Sequence, residues 1–340
     1  MNYQKLHQEA LVIDSHNDTI VAHIRRGNLS LSGKEVPQHH AGTIAWLRGP
    51  WPGSWEKQSL QIDFSKMRQG GIDAAFFAID VTLAPKNRLT YALDGFGFLF
   101  HDLELTGHPA RIVRTTADIL QAKAEGKPAI IMAIEHADCV ERSLNVLRIL
   151  YELGIRSIGL THNISSQAAD GCMEAREGVG LTQFGVQLVR EMNQLGMLVD
   201  LAHVSPSAFF HALEVSEKPV IFSHGNARAL CDHPRNLTDE QLKALAQKGG
   251  VIGLSFVPFF VDAEKPSLDR FLDHIDHIAD IAGIEVIGLG SDFDGGGTLL
   301  TDATEMPRIT EGLYRRGYTE EQIRKILGEN TLRVLKETIG

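Results

Sequence analysis

The 340-residue sequence predicts a single (β/α)8 barrel of the TIM type, with active-site loops at its C-terminal face. Two observations favour this fold. Eight short runs rich in Val, Ile and Leu recur along the chain, and segments with the apolar periodicity of helices separate them. Parallel strands buried on both faces read as continuous apolar runs, and their alternation with helices forms βα units. A doubly wound open sheet is the alternative. We expect one domain over residues 1–340.

Each predicted strand ends at turn-forming or polar residues. The strands are Leu11–His16, Asp73–Asp80, Ala129–Glu135, Ile155–His162, Gly196–His203, Pro219–His224, Gly250–Phe256 and Glu285–Asp292. The sequence also predicts where two helices begin, because Thr238 with Gln241 and Thr319 with Gln322 have the spacing of capping boxes.

Composition and charge exclude several classes of protein. The net charge is −10 and no basic run exceeds two residues, so we expect no nucleic-acid partner. The longest apolar stretch, Val251–Val261, is too short for a membrane span, and no secretory leader is recognised, so we expect a cytoplasmic protein without membrane contact. Cys139, Cys172 and Cys231 are odd in number and scattered, which favours neither disulfides nor a thiolate zinc site.

A long connection, Arg25–Ser54, follows the first predicted strand and is rich in Gly, Pro, His and Trp. Such connections are usually active-site loops or lids. We therefore expect Trp46, Trp51 and Trp55 to lie over the pocket, with a satellite hydrophobic cluster as the alternative.

Ligand-type side chains gather where the predicted strands end. His16 and Asp18 follow the first strand and, two residues apart, project to the same side. Five further strands end at Glu135, His162, His203, His224 and Asp292. In a barrel these ends converge at the C-terminal face, where active sites lie. The nitrogen and oxygen donors suit zinc, manganese, iron or cobalt, and they are too numerous for one tetrahedral ion. Two metals are therefore predicted, with Glu135 as the bridge.

Seven motifs occur together in a specific order. They are IDSHND at 13–18, EHAD at 135–138, LTHN at 160–163, VDLAHVS at 199–205, FSH at 222–224, HPRN at 233–236 and GSDFDG at 290–295. On these motifs the chain resembles the renal (membrane) dipeptidase family of the amidohydrolase superfamily over nearly its whole length.

The resemblance implies a binuclear metal centre with two zinc ions or other divalent transition metals. In it, His16 and Asp18 hold one ion, His203 and His224 hold the other, and Glu135 bridges both. It also implies a homodimer.

The same resemblance implies roles for three further residues. His162 is expected to face the scissile carbonyl oxygen, Asp292 to transfer the proton, and Arg235 to bind the carboxylate of the substrate. His233 is expected to orient the loop of Arg235.

We therefore expect a zinc-dependent dipeptidase that hydrolyses dipeptides with a free C-terminal carboxylate through a metal-bridging hydroxide. One alternative is a related amidohydrolase acting on N-acyl amino acids, lactones or β-lactams, because the same chemistry attacks those carbonyl groups. A second alternative is a metal-binding scaffold without catalysis, against which Asp292 and His162 argue.

Two further histidines, His274 and His277, are three residues apart on a predicted helix. Because Phe271, Ile275 and Ile278 form an apolar stripe on that helix, we expect both histidines to face solvent.

Overall fold

The computed structural model describes residues 2–21, 30–32, 60–84, 86–174 and 179–340. Nine strands occur in these ranges. They are β1 Ile13–Asn17, β2 Ala74–Asp80, β3 Arg111–Ile112, β4 Ala129–Glu135, β5 Ile155–Gly159, β6 Leu198–Asp200, β7 Ile221–Gly225, β8 Val251–Leu254 and β9 Ile287–Leu289. Trp46, Trp51 and Trp55 lie outside the described residues, so their placement over the pocket stays a prediction.

All the strand pairings between named strands are parallel, and eight strands close a barrel. Their order is β2-β1-β9-β8-β7-β6-β5-β4, and β4 pairs in turn with β2. The short strand β3 adds to the start of β4. The predicted (β/α)8 barrel is confirmed, and the open-sheet alternative is wrong.

The predicted strands are found at their expected positions, but four of them end early, and one of these is β8, which stops at Leu254 instead of Phe256. β4 has the predicted bounds, whereas β5, β6 and β9 stop three residues before His162, His203 and Asp292. His203 and Asp292 have φ values of 69° and 59°, in the left-handed region that non-glycine residues seldom adopt. These two side chains therefore enter the site from strained turns rather than from strands.

Helices flank the barrel and follow most of its strands. They are Tyr3–Glu9, Phe64–Gln69, Arg88–Leu105, Thr116–Ala124, Leu144–Leu153, Gln183–Leu195, Pro206–Val215, Asp239–Gln247, Pro258–Val261, Leu268–Ala282, Pro307–Arg315, Glu320–Arg324 and Asn330–Thr338. A π-helical turn, Lys325–Glu329, joins the last two. Both predicted capping boxes, at Thr238 and Thr319, are present. None of the described helices is long and apolar enough to cross a membrane.

Side-chain alternation along the strands decides what faces the barrel interior. One buried cluster joins residues from strands around the ring, namely Ile13, Phe76, Ile131, Leu198, Ile221 and Val251. In β4, residues 129, 131 and 133 belong to this interior cluster, whereas 130, 132 and 134 belong to the layer that the helices cover. By the same alternation, Glu135 projects inward at the C-terminal end of the barrel.

The prediction for His274 is wrong. Its side chain is fully buried within the helix Leu268–Ala282, where Nδ1 accepts a hydrogen bond from Ala227 N and Nε2 donates to Val261 O. The chain around Ala227 and Val261 packs against a second face of this helix, beside its apolar stripe. The spacing of hydrophobic residues does not reveal this second contact. His277 is partly exposed and lies 2.8 Å from Asp239.

Candidate active site

A cavity of about 500 Å³ opens at the C-terminal ends of the strands. All eight predicted site residues line it: His16, Asp18, Glu135, His162, His203, His224, Arg235 and Asp292. The volume is within the range typical of small-molecule pockets. The fold therefore brings together side chains that are separated by up to 276 residues of sequence.

Potential metal-ligating atoms in this cavity fall into three overlapping groups, each with its donor atoms within 4.8 Å of one another. The groups are His16, Glu135 and His224; Glu135, His162 and His203; and His16, Asp18 and Asp292. Glu135 and His16 each belong to two of them, and Glu135 is the carboxylate of the two. The grouping also places His162 and Asp292 close enough to act as ligands.

Two histidine rings are oriented by partners on the side away from the cavity centre. His203 Nδ1 donates to Asn163 Oδ1 at 2.9 Å. Ser223 Oγ donates to Asp200 Oδ2 at 2.6 Å and so accepts from His224 Nδ1 at 2.9 Å. With both Nδ1 atoms protonated, the Nε2 atoms carry lone pairs, yet they face each other at 2.9 Å. Hydrogen bonds of this kind fix the tautomer of metal-ligating histidines.

Glu135 completes this cluster. Its Oε1 atom lies 2.7 Å from His203 Nε2 and 3.8 Å from His224 Nε2. Neither Glu135 Oε1 nor His16 Nε2 has a hydrogen-bond partner among the described residues, although both are buried. Buried polar atoms without partners are costly, and converging lone pairs repel each other. A divalent cation removes both penalties, so the donor set fits the predicted metals.

Electrostatics agree with this interpretation. Burial raises the pKa of Glu135 well above its usual value and lowers the pKa values of His203 and His224 well below theirs. For His16, burial opposes protonation, but the neighbouring Asp18 and Glu135 raise its pKa to about 10. The carboxylates of Glu135 and Asp18 therefore require a nearby positive charge. A bound metal ion supplies that charge in place of a proton on His16.

Asp292 lies in a tight turn beside the potential metal ligands His16 and Asp18. Burial raises its pKa to about 7, although the charge of His16 opposes that shift. Its carbonyl oxygen accepts hydrogen bonds from the backbone N atoms of Gly295, Gly296 and Gly297. A Cβ atom at Gly295 would overlap the carboxylates of Asp18 and Asp292, so glycine is required there. A carboxyl group that titrates near neutral pH suits proton transfer.

His162 packs against another ring of the histidine cluster. Its ring stacks on His203 with a centroid separation of 4.2 Å. Burial lowers its pKa, so the ring is neutral near pH 7 and offers one N–H. Thr161 Oγ1 donates to the His162 carbonyl oxygen and holds this turn.

Arg235 is the buried cation of the cavity, with 3% of its surface exposed. Its Nη2 atom donates to His224 O at 3.0 Å, whereas Nε and Nη1 have no partner among the described residues. The guanidinium lies 5.7 and 5.4 Å from the rings of Phe222 and Phe260. His233 Nδ1 accepts from the backbone N of Arg235, the contact expected of a residue that orients this loop.

Sequence reasoning missed four polar residues of the site. They are Asp80, Asn163, Asp200 and Ser223. Asp80 ends the second predicted strand, so the signal that selected the other strand-end residues was available for it. Asn163, Asp200 and Ser223 stand inside the motifs quoted above, but their hydrogen bonds depend on neighbouring strands.

Residues 1–339 match the membrane dipeptidase family, peptidase family M19. The dipeptidase verJ of Clonostachys rogersoniana is 36% identical over 230 residues, which are 66% of this chain and 59% of that protein. An uncharacterized dipeptidase of Schizosaccharomyces pombe is 37% identical over 298 residues, or 81% and 72% of the two chains. The first of these matches thus spans less than two thirds of the relative's length.

A solved structure shows the same fold. It is a metallo peptidase from Rhodobacter sphaeroides, liganded with a phosphinate mimic of the dipeptide L-Ala-D-Ala, and it superposes with a TM-score of 0.81. The two proteins are 25% identical, and the superposition covers 97% of this chain and 99% of the other. The chain belongs to the membrane dipeptidase family. The prediction of a metal-dependent dipeptidase is confirmed at the level of that family.

Proposed function

We propose that this protein hydrolyses the peptide bond of dipeptides with a free C-terminal carboxylate, and that it does so with two divalent metal ions, zinc being the expected metal. One observation carries the substrate assignment. A buried guanidinium, Arg235, lines the cavity that holds the metal-ligand cluster, and its Nε and Nη1 atoms have no hydrogen-bond partner among the described residues. A carboxylate matches such a planar donor pair, and a substrate that lacks one leaves a buried charge unpaired.

The proposed ligands of the metal centre are five cavity residues. His16 and Asp18 would hold one ion, His203 and His224 the other, and Glu135 both. When bound, divalent metals polarise a carbonyl group and lower the pKa of water. The hydrogen bonds that the two histidine rings donate to Asn163 and Ser223 support this assignment, because they leave a lone pair on each Nε2 atom, close to Glu135.

Two residues are proposed to act on the reacting atoms. His162, neutral and stacked on His203, donates its N–H to the scissile carbonyl oxygen and so stabilises negative charge developing there. Asp292 accepts a proton from the water molecule that attacks the carbonyl carbon and delivers it to the leaving amine as the C–N bond breaks. Its buried position and its pKa of about 7 allow it to hold and release that proton near neutral pH.

A panel of substrates tests the proposed function. It contains dipeptides with L or D residues at the C-terminal position, because the Rhodobacter sphaeroides relative binds a mimic of L-Ala-D-Ala. It also contains tripeptides, dipeptide amides, N-acyl amino acids, lactones and a β-lactam. We expect hydrolysis of free dipeptides that chelation abolishes and added metal restores. Preference for lactones or β-lactams supports the wider amidohydrolase alternative, and inactivity on every substrate supports a scaffold.

We further propose that residues 1–340 act as one catalytic domain. The first helix is tied to the rest of the chain, because His7 Nδ1 lies 2.6 Å from Thr310 Oγ1. At the other terminus, Gly340 O accepts from Thr116 N at 2.7 Å. The homodimer stays a prediction, and light scattering on the purified protein measures it.

A further inference from the structure

A carboxylate outside the proposed machinery lines the same cavity. Asp80 is the last residue of β2 and pairs in register with Glu135, the last residue of β4. In β2, residues 74, 76 and 78 belong to the interior cluster of the barrel, so alternation directs Asp80 inward as it does Glu135. The three groups of potential metal ligands do not contain Asp80.

The contacts of Asp80 hold one of its oxygens and leave the other available. Oδ1 accepts from Thr82 N at 2.8 Å and from Thr82 Oγ1 at 2.6 Å. Within the described ranges, no Lys, Arg or His forms an ion pair with Asp80. The side chain is therefore oriented and lines the cavity without an ion pair among the described residues, and its charge acts on the nearby His162 ring.

Asp80 and Arg235 lie on opposite walls of the cavity. Arg235 is attached to the end of β7 through its hydrogen bond to His224 O. In the closed ring, β7 is four strands from β2 in either direction. The Glu135 cluster lies between these two charged walls. A dipeptide at neutral pH carries an ammonium group at one end and a carboxylate at the other, in the complementary order.

We propose that Asp80 binds the α-ammonium group of the substrate while Arg235 binds its carboxylate, so that the enzyme selects dipeptides with a free N-terminus over N-acyl amino acids. This inference rests on the proposed dipeptidase function. An N-acyl amino acid fills the same space but leaves Asp80 unpaired in a buried site, and sites of this kind discriminate strongly against analogues that lack the polar group.

A pair of substrates that differ only in the amine tests the inference. Alanyl-alanine and N-propionyl-alanine share the acyl carbon skeleton and the C-terminal alanine, and the second has a hydrogen atom in place of the ammonium group. We expect Asp80→Asn to lower kcat/KM for alanyl-alanine by roughly 10-fold to 100-fold, through KM, because a charge-assisted hydrogen bond is lost. The value for N-propionyl-alanine should change less than about threefold. If its turnover is too slow to measure, its inhibition constant against alanyl-alanine provides the same comparison.

Two variants serve as controls. Glu174→Gln removes a negative charge from an exposed position beside the cavity-lining Met173, and it should leave both substrates unaffected. Thr82→Val removes one of the hydrogen bonds that orient Asp80 and should give a smaller loss in the same direction, which provides a second reading if Asp80→Asn folds poorly. Metal content should stay unchanged in all three variants.

The outcomes separate this inference from the proposed function. Equal losses for both substrates, or loss of metal in Asp80→Asn, would overturn the assignment of Asp80 while leaving a dipeptidase. Wild-type protein that cleaves neither dipeptides nor N-acyl amino acids would instead contradict the proposed function itself.

Discussion

The Nε2 atoms of His203 and His224 face each other at 2.9 Å, while the Nδ1 atom of each ring is held by a separate side chain. This arrangement fixes both tautomers before any ligand binds. Asn163 is a direct partner of the first ring, and Ser223 connects the second ring to Asp200. The metal-binding capacity of the site therefore depends on residues that need not contact the metal.

The first prediction concerns Ser223. In Ser223→Ala, His224 loses the acceptor that orients its ring, so we expect metal affinity to fall by roughly 10-fold to 100-fold. Competition with a chromophoric chelator measures this affinity. Ser207→Ala, in the first turn of the helix Pro206–Val215, is the matched control and should bind metal as the wild type does. Unchanged affinity in Ser223→Ala would show that the hydrogen bond does not support the metal centre.

The second prediction concerns Asp292. Because we assign it to proton transfer, Asp292→Asn should retain its metal and its KM while kcat falls by about 100-fold or more. Steady-state kinetics and elemental analysis of the same preparation measure both quantities. Asp292 shares a potential ligand group with His16 and Asp18, so loss of metal would identify it as a ligand instead.

The third prediction concerns Arg235. Arg235→Ala should lower kcat/KM for a dipeptide by about 30-fold to 1,000-fold and leave the corresponding dipeptide amide nearly unchanged, because only the acid engages the guanidinium. Arg228→Ala is the control: this arginine precedes Arg235 on the same stretch of chain and pairs at the surface with Asp232. Equal losses for acid and amide would show that Arg235 supports the loop rather than reading the carboxylate.

The fourth prediction concerns stability and His274. Burial lowers its pKa in the folded state from 6.5 to about 4. Between these pH values the unfolded state binds the additional proton, so the free energy of unfolding should fall as the pH falls from 6.5 to about 4. The contribution is on the order of 3 kcal/mol.

Denaturant titrations across this pH range test the effect. His274→Gln should show a shallower decrease than the wild type, whereas His277→Gln, altered on the same helix at a partly exposed position, should retain the steep decrease. Parallel pH dependence in the wild type and His274→Gln would mean that His274 does not titrate in this window.

The sequence predicted much of the barrel because β-strands buried on both faces have a simple pattern. β4 has both of its predicted bounds. The ends of β5, β6 and β9 were placed too late, because the residue pattern does not show at which position the strand pairing stops. Periodicity also does not report the left-handed backbone at His203 and Asp292, three residues past the ends of β6 and β9.

The sequence also predicted that the cavity residues lie close together, since parallel strands in a barrel must end at one face. Contacts that depend on neighbouring strands were less accessible. The link from Asp200 through Ser223 to His224 joins β6 to β7, and the burial of His274 depends on Ala227 and Val261 packing against its helix. Such contacts follow from tertiary packing and not from local spacing.

The metal content of Glu135→Ala tests the central claim most directly, because Glu135 is the proposed shared ligand of a binuclear centre. Elemental analysis of purified wild-type protein should find about two divalent transition-metal ions per chain. Glu135→Ala should lose both ions together with dipeptide hydrolysis, while Glu174→Gln should retain both. Two tightly bound ions in Glu135→Ala, or full activity of wild-type protein after complete removal of metal, would contradict the account.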